Sequence, residues 1–274
     1  MDGRLTRALP ARGACAVPMK ARPQSLWRAA RGCAKLRETK RAPANAQRRE
    51  DAVQRLLRMI GLRRMDAGAG DWLGRNWPSD DGPLNVNRFR AVFAGAGRRL
   101  AGAPLAAEDQ EALCSAGIPA PERWGLDDLA RAALLLQALG LLPAEEHAGF
   151  VRGLYLRGDY REQAAVLRAL MLLPEPARFL DMAVNACRTN VLDVFEAIAC
   201  ENPYPARYFP DPSFNQLVLK ALFVGVPLGR IVGLAERNSG ELRRMAQDYA
   251  SERRAAGRPV PADIGLVLAA QNPG

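Results

Sequence analysis

The side chains best placed to do chemistry lie between Phe179 and Leu234. Asp181, Asn185 and Arg188 fall at i, i+4 and i+7, so on a helix they share one face, with Thr189 beside them and Asn190 breaking the pattern. Glu196, Asn202 and Tyr204 follow, and then Asn215, Gln216 and Lys220 in a segment that is otherwise almost wholly apolar. Apolar residues surround the axis of that segment through Phe214, Leu217, Val218, Leu219, Ala221, Leu222, Phe223 and Val224, so it reads as a buried helix whose three polar side chains are buried with it. Buried amides and ammonium groups need partners, and Asp181, Asp193, Glu196 and Arg188 are the nearest in sequence. Three readings follow. The cluster is an interhelical hydrogen-bond network that sets helix register. It is a pocket walled by Tyr204, Tyr208, Phe209 and Phe223 that holds a small polar or anionic molecule through Arg188 and Lys220. Or it is a catalytic centre with Glu196 as acid or base and Lys220 as electrostatic stabiliser.

Other residue types narrow the chemistry. His147 is the sole histidine, and Cys15, Cys33, Cys114, Cys187 and Cys200 contain no Cys-x-x-Cys pair, so no metal site is expected and His147 alone could serve as the base of a triad. An odd, scattered set of cysteines fits reduced thiols in a cytoplasmic protein. Cys187 beside Arg188 reads either as an activated thiol or as a buried structural cysteine. No motif calls for a cofactor.

The elements that must position these groups are helical. Val53, Leu56, Leu57 and Ile60 keep the helical period, with Gly61 as the stop. Residues 71–81 read as a loop anchored by Trp72 and Trp77, and 85–100 as a helix weakened by Gly95 and Gly97. Asp127 is placed to cap a helix ending at Leu139, Pro143 to start the next, and Asp159 with Glu162 to form a capping box. Asn202-Pro203-Tyr204-Pro205 forms a rigid corner, Asp211 with Pro212 opens the apolar helix, and Asn238 with Glu241 has capping-box spacing for the last long one. No stretch alternates as a strand does. The fold class is therefore all-α, with antiparallel helix pairs in an α-solenoid-like or irregular array and no fixed repeat period.

The net charge of +10 is concentrated, since residues 1–50 hold thirteen Lys/Arg against Asp2, Glu38 and Glu50, leaving 26 of each sign in the rest. A neutral body leaves a nucleic-acid or anionic-lipid reading resting entirely on that first segment, where no RNP, helix-turn-helix or finger pattern supports it, and no nucleic-acid partner is expected. Residues 1–47 read as a basic, disordered leader or as a translation start placed too far upstream, and 48–274 as one helical domain. The longest apolar run, Ala132–Leu142, spans 11 residues, too few for a bilayer.

Three runs, NACRTNVLDVFEAIACENPYP, FNQLVLKALFVGVPLGRIVGL and DYASERRAAGRPV, resemble the signature of the EboA family over residues 175–262. The polar positions within the resemblance are Asn185, Arg188, Thr189, Asn190, Glu196, Asn202, Asn215, Gln216, Lys220 and Arg230. The resemblance implies a bacterial gene cluster that also encodes a prenyltransferase-like membrane protein, a sugar-phosphate-cyclase-like enzyme and metal-dependent hydrolases. It further implies service in moving a secondary-metabolite precursor, in cyanobacteria that of scytonemin. The expectation is a cytoplasmic, non-enzymatic accessory or binding protein of a metabolite biosynthesis and export pathway, partnered by proteins of the cluster or by a small metabolite. The alternative is an enzyme acting on a pathway intermediate at Arg188, Glu196 and Lys220.

Overall fold

The computed structural model describes residues 55–58, 60, 63–79, 81–100 and 105–269, so the expectation of a disordered leader over 1–47 lies outside the described residues. Among them there is no β-strand, and the fold is all-α. The main helices are α1 (Ala67–Arg75), α2 (Val86–Leu100), α3 (Ala107–Ser115), α4 (Leu126–Gly140), α5 (His147–Arg157), α6 (Tyr160–Ala169), α7 (Leu180–Ala186), α8 (Leu192–Ala199), α9 (Tyr204–Tyr208), α10 (Asp211–Val224), α11 (Gly240–Ala255) and α12 (Gly265–Leu268).

The centre is α4, nearly every residue of which is buried, packed against α2 on one side and α6 on the other. Its cap lies two residues earlier than the sequence implies. Gly125 is the N-cap, its N–H donating to the Asp128 carboxylate at 3.1 Å, while Asp127 turns to pair with Arg131 at 2.8 Å. Arg131 is fully buried, with its Nε donating to Phe93 O at 3.1 Å. That contact explains Gly97, where a Cβ would overlap the Arg131 guanidinium. At Gly95 a Cβ would stand 2.9 Å from the Trp72 ring. These glycines permit close approach between elements and do not mark a weak helix. Trp72 itself lies in α1, capped by Asp66, and not in the expected loop.

Of two other expected caps, one is in place and one shifts for a local reason. Asp159 caps α6 through the N–H groups of Arg161 and Glu162, as its spacing requires. At α11 the cap is Ser239, accepting from Leu242 N–H at 3.1 Å, because Asn238 is drawn away to donate to Val267 O at 2.9 Å. His147 is buried at the end of α4, its Nε2 2.8 Å from Leu139 O and 3.1 Å from Leu142 O. Carbonyls only accept, so this nitrogen carries the proton and ties down helix-end carbonyls.

The apolar helix α10 is not buried all round. Phe214, Asn215, Leu217, Val218, Ala221 and Leu222 face inward, but Gln216 is exposed and Phe223 is 72% exposed. Its main neighbours are α11 and the turn Leu228–Arg230, and the flank that carries Gln216 and Phe223 faces outward. Among the described residues no helix is long and apolar enough to cross a membrane.

Candidate functional site

The site begins where α8 ends. Helix α8 packs closely on α6, both lined with buried small residues such as Ala164, Ala169, Ala197 and Ala199, and its chain then reverses through Cys200, Glu201 and Asn202. Asn202 is buried and fixes this corner. Its Nδ2 donates to Leu167 O of α6 at 3.1 Å and to Ala197 O of α8 at 2.9 Å, and its Oδ1 accepts from Tyr204 N–H at 3.0 Å. The corner places Glu201 in the left-handed region at φ 50°, unfavourable for a residue with a Cβ, and its N–H donates to Arg230 O at 2.8 Å.

Arg230, on the turn Leu228–Arg230, returns the contact through its side chain. Nε and Nη2 donate to the two oxygens of Glu201 at 2.8 and 3.0 Å, and Nη1 donates to Glu196 Oε2 at 2.6 Å. The paired bonds to one carboxylate have the planar fork geometry that guanidinium groups favour. They hold the Arg230 guanidinium above its ordinary pKa, with Glu201 the larger cause, partial burial opposing and Glu196 adding. Two further arginines reach the same place from distant parts of the chain. Arg123, on the turn Pro121–Arg123, lies 3.7 Å from Glu201 Oε1, and Arg168 of α6 is held by the buried Asp128 of α4 at 3.1 Å. Burial pushes the Asp128 carboxyl up, opposed by Arg168.

These groups surround a cavity of about 200 Å³, with Trp124, Ala197 and Cys200 supplying apolar wall. Ala120 at its edge is, like Glu201, a left-handed residue that is not glycine, at φ 44°. Two of the three such residues among those described therefore line one cavity. Strained backbone of this kind is retained where the surroundings over-determine it, and it clusters at functional sites. Burial pushes the Cys200 thiol up to about 12, so at neutral pH it is a wall and not a nucleophile.

The candidates read from sequence are dispersed. Glu196 and Asn202 belong to the cavity or its frame. Lys220 does not: its ammonium donates to Cys187 O at 2.6 Å and to Thr189 O, and lies 5.0 Å from the Phe195 ring centre, closing the end of α7. Burial holds its pKa below the ordinary range, partly offset by Cys187. Thr189 Oγ1 accepts from Val191 N–H at 3.1 Å, a local turn bond. Asn185, Arg188, Asn190 and Gln216 are exposed, which corrects the expectation that Gln216 is buried. Asn215 is buried, but its Oδ1 finds none of the expected partners. No ion pair joins Arg188, Glu196 and Lys220.

The aromatic wall is also corrected. Tyr204 donates its hydroxyl to Pro176 O at 2.7 Å and packs on Tyr208 and Phe209, away from the cavity lining, while Phe223 faces outward. Cys187 is buried and its thiol is pushed up to about 12 by burial, which favours its structural reading. Arg230, named from sequence only among the polar positions of the resemblance, had a legible signal as the sole charge in the apolar run VGVPLGRIVGL. Arg123 and Arg168 had none, because only tertiary packing brings the turn Pro121–Arg123 and α6 to the corner that follows α8.

Fold and site together define an all-α protein with a small polar cavity framed by arginine and glutamate. Residues 53–268 match the family described as metabolite traffic protein EboA, and the chain belongs to the EboA family. The match reaches well before the 175–262 signature, taking in α1 through α6 as well. No curated protein and no solved structure matches the chain.

Proposed function

We propose that the chain is a binding component of a metabolite-handling pathway, holding a small polar compound in the cavity between Arg123, Arg168 and Arg230 without transforming it. The observation that carries this is the convergence of three guanidinium groups and two strained backbone positions on one cavity of about 200 Å³. The description of its family as metabolite traffic protein supports the reading. In it, the protein works in the cytoplasm as an accessory, passing its compound to proteins of the same gene cluster, including the prenyltransferase-like membrane protein. Catalysis at Arg188, Glu196 and Lys220 loses its footing, because Lys220 is a helix-end cap, Arg188 is exposed and Glu196 is paired to Arg230.

The test is mass spectrometry of low-mass compounds released by denaturing the purified protein. Wild type is expected to release a compound that is absent from Ala197→Leu, in which a larger side chain fills the cavity. Equal, empty spectra would count against the proposal.

A further inference from the structure

We infer that the compound held in this cavity carries an oxyanion group, a carboxylate or a phosphate, gripped by Arg123 and Arg168; this rests on the cavity being a binding site at all. The argument is a count of committed and uncommitted hydrogen-bonding groups. Arg230 commits all three of its nitrogens, Nε, Nη1 and Nη2, to Glu196 or Glu201, and one N–H on each terminal nitrogen stays unbonded. Glu201 is correspondingly satisfied, with both oxygens accepting.

Arg168 commits only Nη1, which straddles the two oxygens of Asp128, leaving Nε and Nη2 without a protein acceptor among the described residues. Arg123 makes no hydrogen bond there, because its approach to Glu201 at 3.7 Å is a loose ion pair. Against these donors the lining offers one uncommitted carboxylate oxygen, Glu196 Oε1. A ligand that fits must therefore supply acceptors in excess of donors. Asp128 behind Arg168 brings the carboxylates to three against three guanidinium groups, so the uncommitted donors of Arg123 and Arg168, and not net charge, favour an oxyanion. Guanidinium pairs grip carboxylate and phosphate through parallel N–H bonds, and Glu196 Oε1 remains for one ligand hydroxyl.

Size limits the rest of the molecule. A cavity of about 150 Å³ accommodates benzene, so 200 Å³ holds the oxyanion with a short carbon chain against Trp124 and Ala197.

The experiment is titration calorimetry of the full chain in chloride buffer, with inorganic phosphate and succinate as probes and glycerol as a neutral comparator. At least one oxyanion is expected to bind with one-to-one stoichiometry and glycerol is not, with affinity falling tenfold or more in Arg123→Gln and in Arg168→Gln. Arg123 is half exposed and its only ion pair is loose, so Arg123→Gln keeps the test valid if Arg168→Gln does not fold. Binding of phosphate alone assigns a phosphoryl group, and binding of succinate alone a carboxylate. Absence of binding by both anions overturns the inference, as does binding that Arg123→Gln leaves unchanged. A neutral compound released from wild type and lost from Ala197→Leu, with neither anion binding, would leave the cavity reading standing and this one refuted.

Discussion

Two cations thirty-odd residues downstream of α7 and α8 do opposite things in neighbouring parts of the same fold. Lys220 reaches back to α7, and its ammonium is used up on the carbonyls of Cys187 and Thr189, with the Phe195 ring beside it. Arg230 reaches back to α8, binds Glu196 and Glu201, and forms the wall of a cavity into which Arg123 and Arg168 bring donors that the protein leaves uncommitted. Both look alike in sequence: one charge in an apolar run. Whether such a charge is a cap or part of a site depends on what other donors and acceptors the packing brings to it, and on whether they balance.

The largest expected effect falls on Arg230. Breaking a buried ion pair by removing one partner costs about 3 to 5 kcal/mol, and Arg230, Glu201 and Glu196 keep 22%, 16% and 31% of their side-chain exposure. Arg230→Met is therefore expected to lose about 2 to 3 kcal/mol in urea unfolding, and with it oxyanion binding. A variant as stable as wild type would erase the distinction drawn here.

Lys220→Met comes second. Its apolar stem still packs on Phe195, so the loss is that of the donor to two helix-end carbonyls, about 1 to 2 kcal/mol. Oxyanion affinity is expected to be unchanged. If it dropped as it does in the arginine variants, the two regions would be one site and Lys220 would regain the role read from sequence.

The smallest effect concerns the two thiols, one in each region. Burial pushes Cys187 and Cys200 both up to about 12, whereas Cys114 is exposed. Iodoacetamide at pH 8 followed by peptide mapping is expected to modify Cys114 and leave the other two protected in the native state. Rapid modification of Cys200 would place a reactive thiol in the cavity wall and revive a catalytic reading.

The local features were legible. The Asp159 cap and the Asn202-Pro203 corner follow from side-chain type, and helical period predicts a buried stripe of Val191, Val194, Phe195 and Ile198, of which all but the exposed Val191 are buried. Errors had more than one cause. Asn238 leaves its capping role for Val267 O in α12, Asp127 turns to Arg131 one turn on in its own helix, and Gln216 with Phe223 lies on the outward flank of α10. Of the candidate site, Glu196 and Asn202 were readable as polar residues beside an apolar helix.

By itself the sequence determined an all-α chain, a charge-neutral remainder after a basic first segment, and membership of the EboA family through several words in fixed order. These depend on residue type and near-neighbour spacing, which a linear chain displays. Tertiary structure alone decided that Lys220 is a cap, that Glu201 adopts a left-handed turn against Arg230, and that Arg123 and Arg168 meet there. Those outcomes rest on the balance of polar pairing between groups 29 to 78 residues apart in sequence, such as the hydrogen bonds of Glu201 with Arg230 and its looser ion pair with Arg123. Only packing settles such a balance.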